Sequence, residues 1–391
     1  MVVLVDHSVS GPMSAVVDAD GNPVVAFVSS DDETLEILRC SDQDCIGPID
    51  QITFGPAPVE VFAFDLALLS DGSPAVIIHP SWADFPDVWI CLDPSCEAIE
   101  NSVFGLHEPC LLLDGGGPCD LNYPSMVVGS DGLLRVVYIT QSDPMTLKVA
   151  TCQRGFCNTE WEFEILDEPE WEHATIDELP SGVFTGTPSI RIDSNDRLLV
   201  GYWYANGPGE TQARVAVCED ASCAASPTIL SIDGGVFAQT TPGATDDEYL
   251  IWYQTGAEAL PVTSADPSIN YAELWSDYSD FMVIQCNADG CADAMYVEPG
   301  EDWLLAQAAG ALQLFTNPDG STGAFFNHAS RNEPNFQLHM TTCADAICTQ
   351  GVTEAVGIDN IFDGYFDVIT TSTTPRVVYV TNDGAMSLYT P

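Results

Sequence analysis

Basic residues are nearly missing from this chain. Its 391 residues include nine Lys and Arg against 59 Asp and Glu, a formal net charge of −50. That balance excludes partners gripped by a basic patch, nucleic acid and anionic membranes first. No apolar run approaches the roughly 20 residues a membrane-spanning helix needs, so membrane insertion is not expected. The opening "MVVLVDHSVSG" has neither a basic n-region nor a cleavage site, so it does not read as a signal peptide. Sustained helical periodicity is lacking, as are a phosphate-binding glycine loop, Gly-x-Ser-x-Gly and His-Glu-x-x-His. A sialidase reading would need three convergent arginines and Ser-x-Asp-x-Gly-x-x-Trp boxes. No such box occurs, and Arg135, Arg197 and Arg376 sit near turns rather than in variable loops.

What the chain does have is apolar material and cysteine. Hydrophobic residues make up 46% of it, which argues for a folded protein despite the charge. The carboxylates then belong on the surface, where they suit cations or a salty medium that screens their repulsion. Fourteen cysteines, an even number, point to an oxidising compartment. The expectation is a secreted or cell-surface protein whose signal peptide lies outside this sequence.

The cysteines are periodic. Cys40/Cys45, Cys91/Cys96, Cys152/Cys157, Cys218/Cys223, Cys286/Cys291 and Cys343/Cys348 share one spacing, and the pairs begin 51, 61, 66, 68 and 57 residues apart. A period of this length marks a propeller or solenoid. The surrounding text repeats too: "DADGNPVVAFVSSDDETLEILRCSDQDC" aligns with "LSDGSPAVIIHPSWADFPDVWICLDPSC" and "GSDGLLRVVYITQSDPMTLKVATCQRGFC". Each unit reads as four short strands. An Asp-Gly-like turn follows the first, and a Val/Ile/Tyr/Phe-rich run forms the second. The first cysteine ends strand three and the second begins strand four, so a disulfide would clasp that hairpin. Zinc is the competing reading, but each unit supplies only two cysteines where a structural site needs four ligands. Cys110 and Cys119 form a seventh pair outside the pattern and would staple a long loop.

Six complete units are followed by a partial one, "FDVITTSTTPRVVYVTNDGAMSLYTP", which lacks a fourth strand. The N-terminal "MVVLVDHS" can supply it and close a ring, which removes exposed sheet edges. The fold expected is all-β, a seven-bladed propeller forming one domain over 1–391. Its blades span approximately 11–56, 57–106, 121–168, 183–232, 236–299, 304–357, and 364–391 plus 1–9. The string DG-x-P-V-V-x-F…L-x-I-L-x-C-x4-C resembles a repeat common in secreted bacterial β-propeller proteins of unassigned function. That resemblance covers most of the chain and implies the same seven-bladed fold.

In such a fold the Asp-Gly and cysteine turns share one face, and the variable loops share the other. Function is expected on the loop face. Trp82, Trp171, His173, Tyr204, Tyr271 and Trp275 are the candidate ligand contacts, because exposed aromatics suit stacking on sugars or anchoring a partner. Aligned first strands also place Ser14, Asp65, Ser125, Ser189, Thr240, Gln313 and Asp367 at equivalent positions around the channel. Asp65 and Asp367 there, and Asp277 and Asp280 in the longest insertion, are the candidate cation ligands, with Ca²⁺ the ion such oxygens would suit. Histidines show no metal spacing, although His79 and His328 end second strands near the loop face. Two functions follow from this reading. One is a binding or adhesion module for a glycan, peptide or extracellular protein, expected as a monomer. The other is a glycan-active hydrolase or lyase with carboxylates and a histidine at the channel mouth.

Overall fold

In the computed structural model, the described residues are 2–5, 8–56, 61–80, 86–103, 122–140, 146–152, 157, 161–167, 188–205, 211–233, 235–242, 248–255, 280–287, 290–291, 295–297, 312–317, 321–329, 336–344, 351–370 and 374–391. They form strands and turns only. Blade 1 is built from Val9–Val17, Pro23–Ser29, Thr34–Cys40 and Ile49–Pro56, paired antiparallel in sequence order. Blades 2, 3 and 4 repeat the plan, beginning at Val61, Asn122 and Ser189. In blade 5 the third strand, Asp280–Asn287, pairs with both Gly290–Cys291 and Met295–Val297. Blades 6 and 7 share one long strand, Gly351–Thr370, the outer strand of the first and the inner strand of the second.

The ring closes through the termini. Val2–Val5 pairs antiparallel with Met386–Tyr389, matching Val2 with Leu388 and Val5 with Met386. Seven four-stranded antiparallel blades result, the last made from both ends of the chain.

Why the second strands are continuous apolar runs is now visible. Pro23–Ser29 is buried at every position. Val24, Ala26 and Val28 pack toward blade 2, while Val25 and Phe27 pack toward blades 6 and 7. Both faces of each strand are therefore interior, so no polar alternation survives. The same arrangement repeats between blades 2 and 3, 3 and 4, 4 and 5, and 5 and 6. Each fully buried Val or Ile contributes about 1.5–3 kcal/mol, so these strands carry most of the fold.

The first turns share one construction. In blade 1 the Asp18 N–H donates to Asn22 O and the Gly21 N–H to Asp18 O. Gly21, Gly72 and Gly132 have φ of 81°, 84° and 75°. This is a three-residue loop with a glycine bulge, in which only the glycine is left-handed. Blade 4 has Asp196 at that position, with φ of 60°.

Four disulfides are described, Cys40–Cys45, Cys91–Cys96, Cys152–Cys157 and Cys218–Cys223, with Cα–Cα separations of 5.0, 4.8, 5.2 and 5.1 Å. Cys286 and Cys343 are also disulfide-bonded. Cys110, Cys119 and Cys348 lie outside the described residues, as does the side chain of Cys291. One detail differs from the expectation. In blade 1 the residue paired with Cys40 is Ile49, and Cys45 lies inside the turn. Cys45, Cys96 and Cys223 adopt φ of 52°, 54° and 52°, which turns the chain back toward the first cysteine. Asp42 organises the same turn by accepting the N–H groups of Asp44, Ile46 and Gly47. The bridge therefore pins a loop to the end of strand three and does not tie strand to strand. Blade 5 keeps the expected form, with Cys286 opposite Cys291.

Most described carboxylates stay outside the core: Glu36 is the one acid among the buried side chains described, and Asp65 and Asp367 are half-buried at the channel. Their mutual repulsion is then a surface effect that salt relieves. Raising NaCl from about 0.1 M to about 1 M shortens the Debye length from about 10 Å to about 3 Å and should raise the melting temperature. Calorimetry at the two salt concentrations checks this, and a fall in melting temperature would contradict it. Removing residues 1–8 exposes the edge of Met386–Tyr389 and deletes buried Leu4 and Val5. A loss of about 3–6 kcal/mol is expected from those two side chains alone, measured by denaturant unfolding.

Candidate functional site

Register brings seven residues to one level of the channel. Ser14, Asp65, Ser125, Ser189, Thr240, Gln313 and Asp367 pair with Ala26, Ile77, Val137, Gly201, Ile251, Phe325 and Val378. Each partner is the fourth residue of its blade's second strand. In blades 1, 2, 3 and 5 the inner strand is irregular just before this level, between Ser10/Ser14, Val61/Ala63, Asn122/Ser125 and Val236/Gln239. Such bulges bend a strand and re-aim its side chains.

Four blades meet in one hydrogen-bonded cluster at this level. The Ser14 hydroxyl of blade 1 lies 3.0 Å from Asp65 Oδ1 of blade 2 and 3.3 Å from Asp367 Oδ2 of blade 7. Asp65 Oδ2 accepts the Ser125 hydroxyl at 3.0 Å and the Met126 N–H at 2.7 Å, both from blade 3. Asp65 Oδ1 also accepts the Leu66 N–H at 2.8 Å. Asp367 accepts the Ala15 N–H at 2.7 Å and the Val368 N–H at 2.8 Å. These N–H groups follow the channel-level residues in each strand and point at the axis, away from strand two. Satisfying such inward donors is what a carboxylate at this level accomplishes.

Electrostatics at the cluster are set by burial. Desolvation raises the pKa of Asp65 above its ordinary value, against the hydrogen bonds that favour its charge. Asp367 is pushed up to about 7, first by burial and further by the charge of Asp65. Arg191 of blade 4, across the ring, is the one basic residue among the described residues of the inner strands. Burial lowers its pKa, while attraction to Asp367 and Asp65 opposes the shift. Sequence reasoning missed Arg191. Its signal was a charge two residues beyond Ser189 in "SIRI", between two isoleucines.

Three other arginines serve the turn face. Arg135 pairs with Asp131 at 2.6 Å, Arg197 with Asp193 at 2.7 Å, and Arg376 with Asp44 of blade 1 at 3.0 Å. Between blades 3 and 4, Asp167 accepts the Tyr202 hydroxyl and pairs with Arg214 at 2.7 Å.

Of the residues singled out from sequence, Asp65 and Asp367 are brought together through Ser14. Among the described residues no group of three or more His, Cys, Asp or Glu converges as a metal site would. Tyr204 lies in the second strand of blade 4, opposite Gln212, and Asp280 begins the third strand of blade 5. The side chains of both fall outside the described residues, as do Trp82, Trp171, His173, Tyr271, Trp275 and Asp277 entirely. His79 is buried in blade 2, opposite Ala63.

No protein-family model matches the sequence, and no curated protein matches it significantly. Solved structures share its fold. An ulvan lyase of a new polysaccharide lyase family, solved bound to -[GlcA(1-4)Rha3S]-, has 10% identity and a TM-score of 0.59 over 100% of this chain and 95% of its own. Polysaccharide lyase Uly1 has 8% identity and a TM-score of 0.56 over 99% and 90%. A Hadza microbial sialidase has 9% identity and a TM-score of 0.53 over 93% and 73%. At these identities the likeness establishes the propeller fold.

The cluster makes a quantitative demand on Ser125. Replacing it with Ala removes one hydroxyl donor from a half-buried carboxylate. The expected cost is about 1–3 kcal/mol of unfolding free energy, read from urea denaturation. An unchanged midpoint would show that Asp65 does not depend on this donor.

Proposed function

We propose that this protein is an extracellular glycan-recognition propeller that engages a polysaccharide across its loop face, above the channel cluster. The observation that carries the reading is the whole-length fold similarity to propellers whose names are polysaccharide lyases and a sialidase. Disulfides in successive blades support an extracellular setting, where oxidised thiols persist. Uniform short turns occupy one face, so the long segments that carry Trp82, Trp171, His173, Tyr204, Tyr271 and Trp275 serve as the ligand contacts. Aromatic stacking on sugar rings suits an acidic protein, because it needs no basic residues.

A catalytic reading is the alternative, and one observation favours it. Asp65 and Asp367 are a linked carboxylate pair with raised pKa values, and Arg191 shares their channel. Perturbed carboxylates in a concave site are the ingredients of acid–base work on a glycosidic bond. Glycan binding and glycan turnover are separated by one screen. Immobilised polysaccharides, including uronate-containing ones, are tested for binding and for new reducing or unsaturated ends, with and without Ca²⁺. Binding without new ends supports the recognition module. New ends lost in an Asp65→Ala variant support the catalytic reading, and no interaction with any glycan overturns both. For a glycan that binds, the double change Trp171→Ala and Trp275→Ala should weaken affinity by about 1–3 kcal/mol, roughly 5- to 150-fold, without altering the melting temperature.

A further inference from the structure

We propose that the arc of the channel formed by blades 4, 5 and 6 is an anion site for the carboxylate of an acidic sugar, held by Arg191, the Thr240 hydroxyl and the inward N–H groups of Ile190, Thr241 and Leu314. The sugar as ligand rests on the glycan reading above; the anion site does not.

The two halves of the ring differ in what meets their inward backbone donors. In every blade the residue after the channel-level one pairs with the third residue of strand two, so its N–H has the same inward direction all round the axis. In blades 7, 1, 2 and 3 these donors are Val368, Ala15, Leu66 and Met126, and Asp367 and Asp65 accept all four. In blades 4, 5 and 6 they are Ile190, Thr241 and Leu314, and among the described residues no acceptor takes them. The inner strands there read "SIRI", "GVFAQTTP" and "LQLFT", without an acid, in a chain that has 59.

Two side chains add donors to the same arc. Arg191 directly follows Ile190 and is half-buried. It is attracted to Asp367 and Asp65 across the ring, yet among the described residues it makes no ion pair or hydrogen bond. Those two carboxylates draw their donors from Ser14, Ser125 and the main chain instead. All five N–H donors of the Arg191 guanidinium are thus open to a ligand. Thr240, at the channel level of blade 5, is 1% exposed, and its hydroxyl has no hydrogen-bond partner among the described residues. A buried hydroxyl left without a partner costs free energy that a ligand oxygen restores. Donors without acids call for an oxygen-rich anion.

Geometry and charge select which anion. A guanidinium fork matches the two oxygens of a carboxylate in one plane. A single negative charge also limits repulsion from Asp65 and Asp367, where a doubly charged phosphate monoester meets twice as much. A uronate carries that group on a sugar ring.

Arginine side-chain NMR of the full chain reads the site directly. With isotope-labelled arginine, the Nε–Hε signal that disappears in Arg191→Gln belongs to Arg191. It should shift saturably with sodium glucuronate, and not with glucose or with sodium chloride at equal ionic strength. Calorimetric titration with a glucuronate tetrasaccharide should show affinity about 10- to 150-fold weaker in Arg191→Gln. Thr240→Val keeps the shape and drops the hydroxyl, so it should weaken binding about 2- to 12-fold with no fall in melting temperature. No shift of the Arg191 signal with glucuronate, an equal shift with glucose, a stronger response to a sulfated glucose, or affinity indifferent to Arg191→Gln would each overturn the carboxylate site. Polysaccharide binding that survives both carboxyl reduction of the polymer and Arg191→Gln removes this site and leaves the glycan reading standing. A glucuronate shift at Arg191 with no polysaccharide retained does the reverse.

Discussion

Burial of both faces of every blade is the constraint on which this structure rests. A row of sheets packed face to face leaves two bare apolar faces at its ends. Bending the row into a ring removes them, and sharing the last blade between the two termini locks the ring. Leu4 and Val5 belong to the same apolar cluster as Val25, Phe27 and Val378. The first few residues of the chain are therefore part of the core and not a tail.

Closure creates the channel, and the channel creates a chemical problem. Inner strands have no neighbour on their axial side, so their inward N–H groups need acceptors. Asp65 and Asp367 supply them across blade boundaries, with Ser14 as the link. The result ties four consecutive blades at the axis, while apolar contacts tie them further out. Arg191 arrives from the opposite side and, among the described residues of the inner strands, is the one cation set against these two acids. In a chain this acidic, a half-buried arginine attracted to two half-buried carboxylates offsets part of their charge.

Surface and interior follow different rules here. The turn face is a ring of Asp-centred turns, each carboxylate accepting N–H groups of its own loop, as at Asp18, Asp42 and Asp193. Backbone N–H groups of this kind hold Asp42 below the ordinary carboxylate range. Disulfides add to this order by pinning the cysteine turns in a left-handed backbone conformation at Cys45, Cys96 and Cys223.

Sequence alone determined the blade count, the strand order, the closure and the equivalence of the seven channel-level residues. These follow from repetition: each unit restates the same alternation, turn and cysteine spacing, so errors in one unit are corrected by the next. It did not reveal that the second cysteine lies in the turn, because strand pairing depends on backbone register and not on spacing. It did not reveal Arg191, which occurs once and in no repeat. Nor did it show that Asp65 and Asp367, 302 positions apart in sequence numbering, contend for one hydroxyl. That meeting exists only when the ring closes, because closure sets blade 7 beside blade 1, and hydrogen bonds between blades act over distances the repeat does not encode.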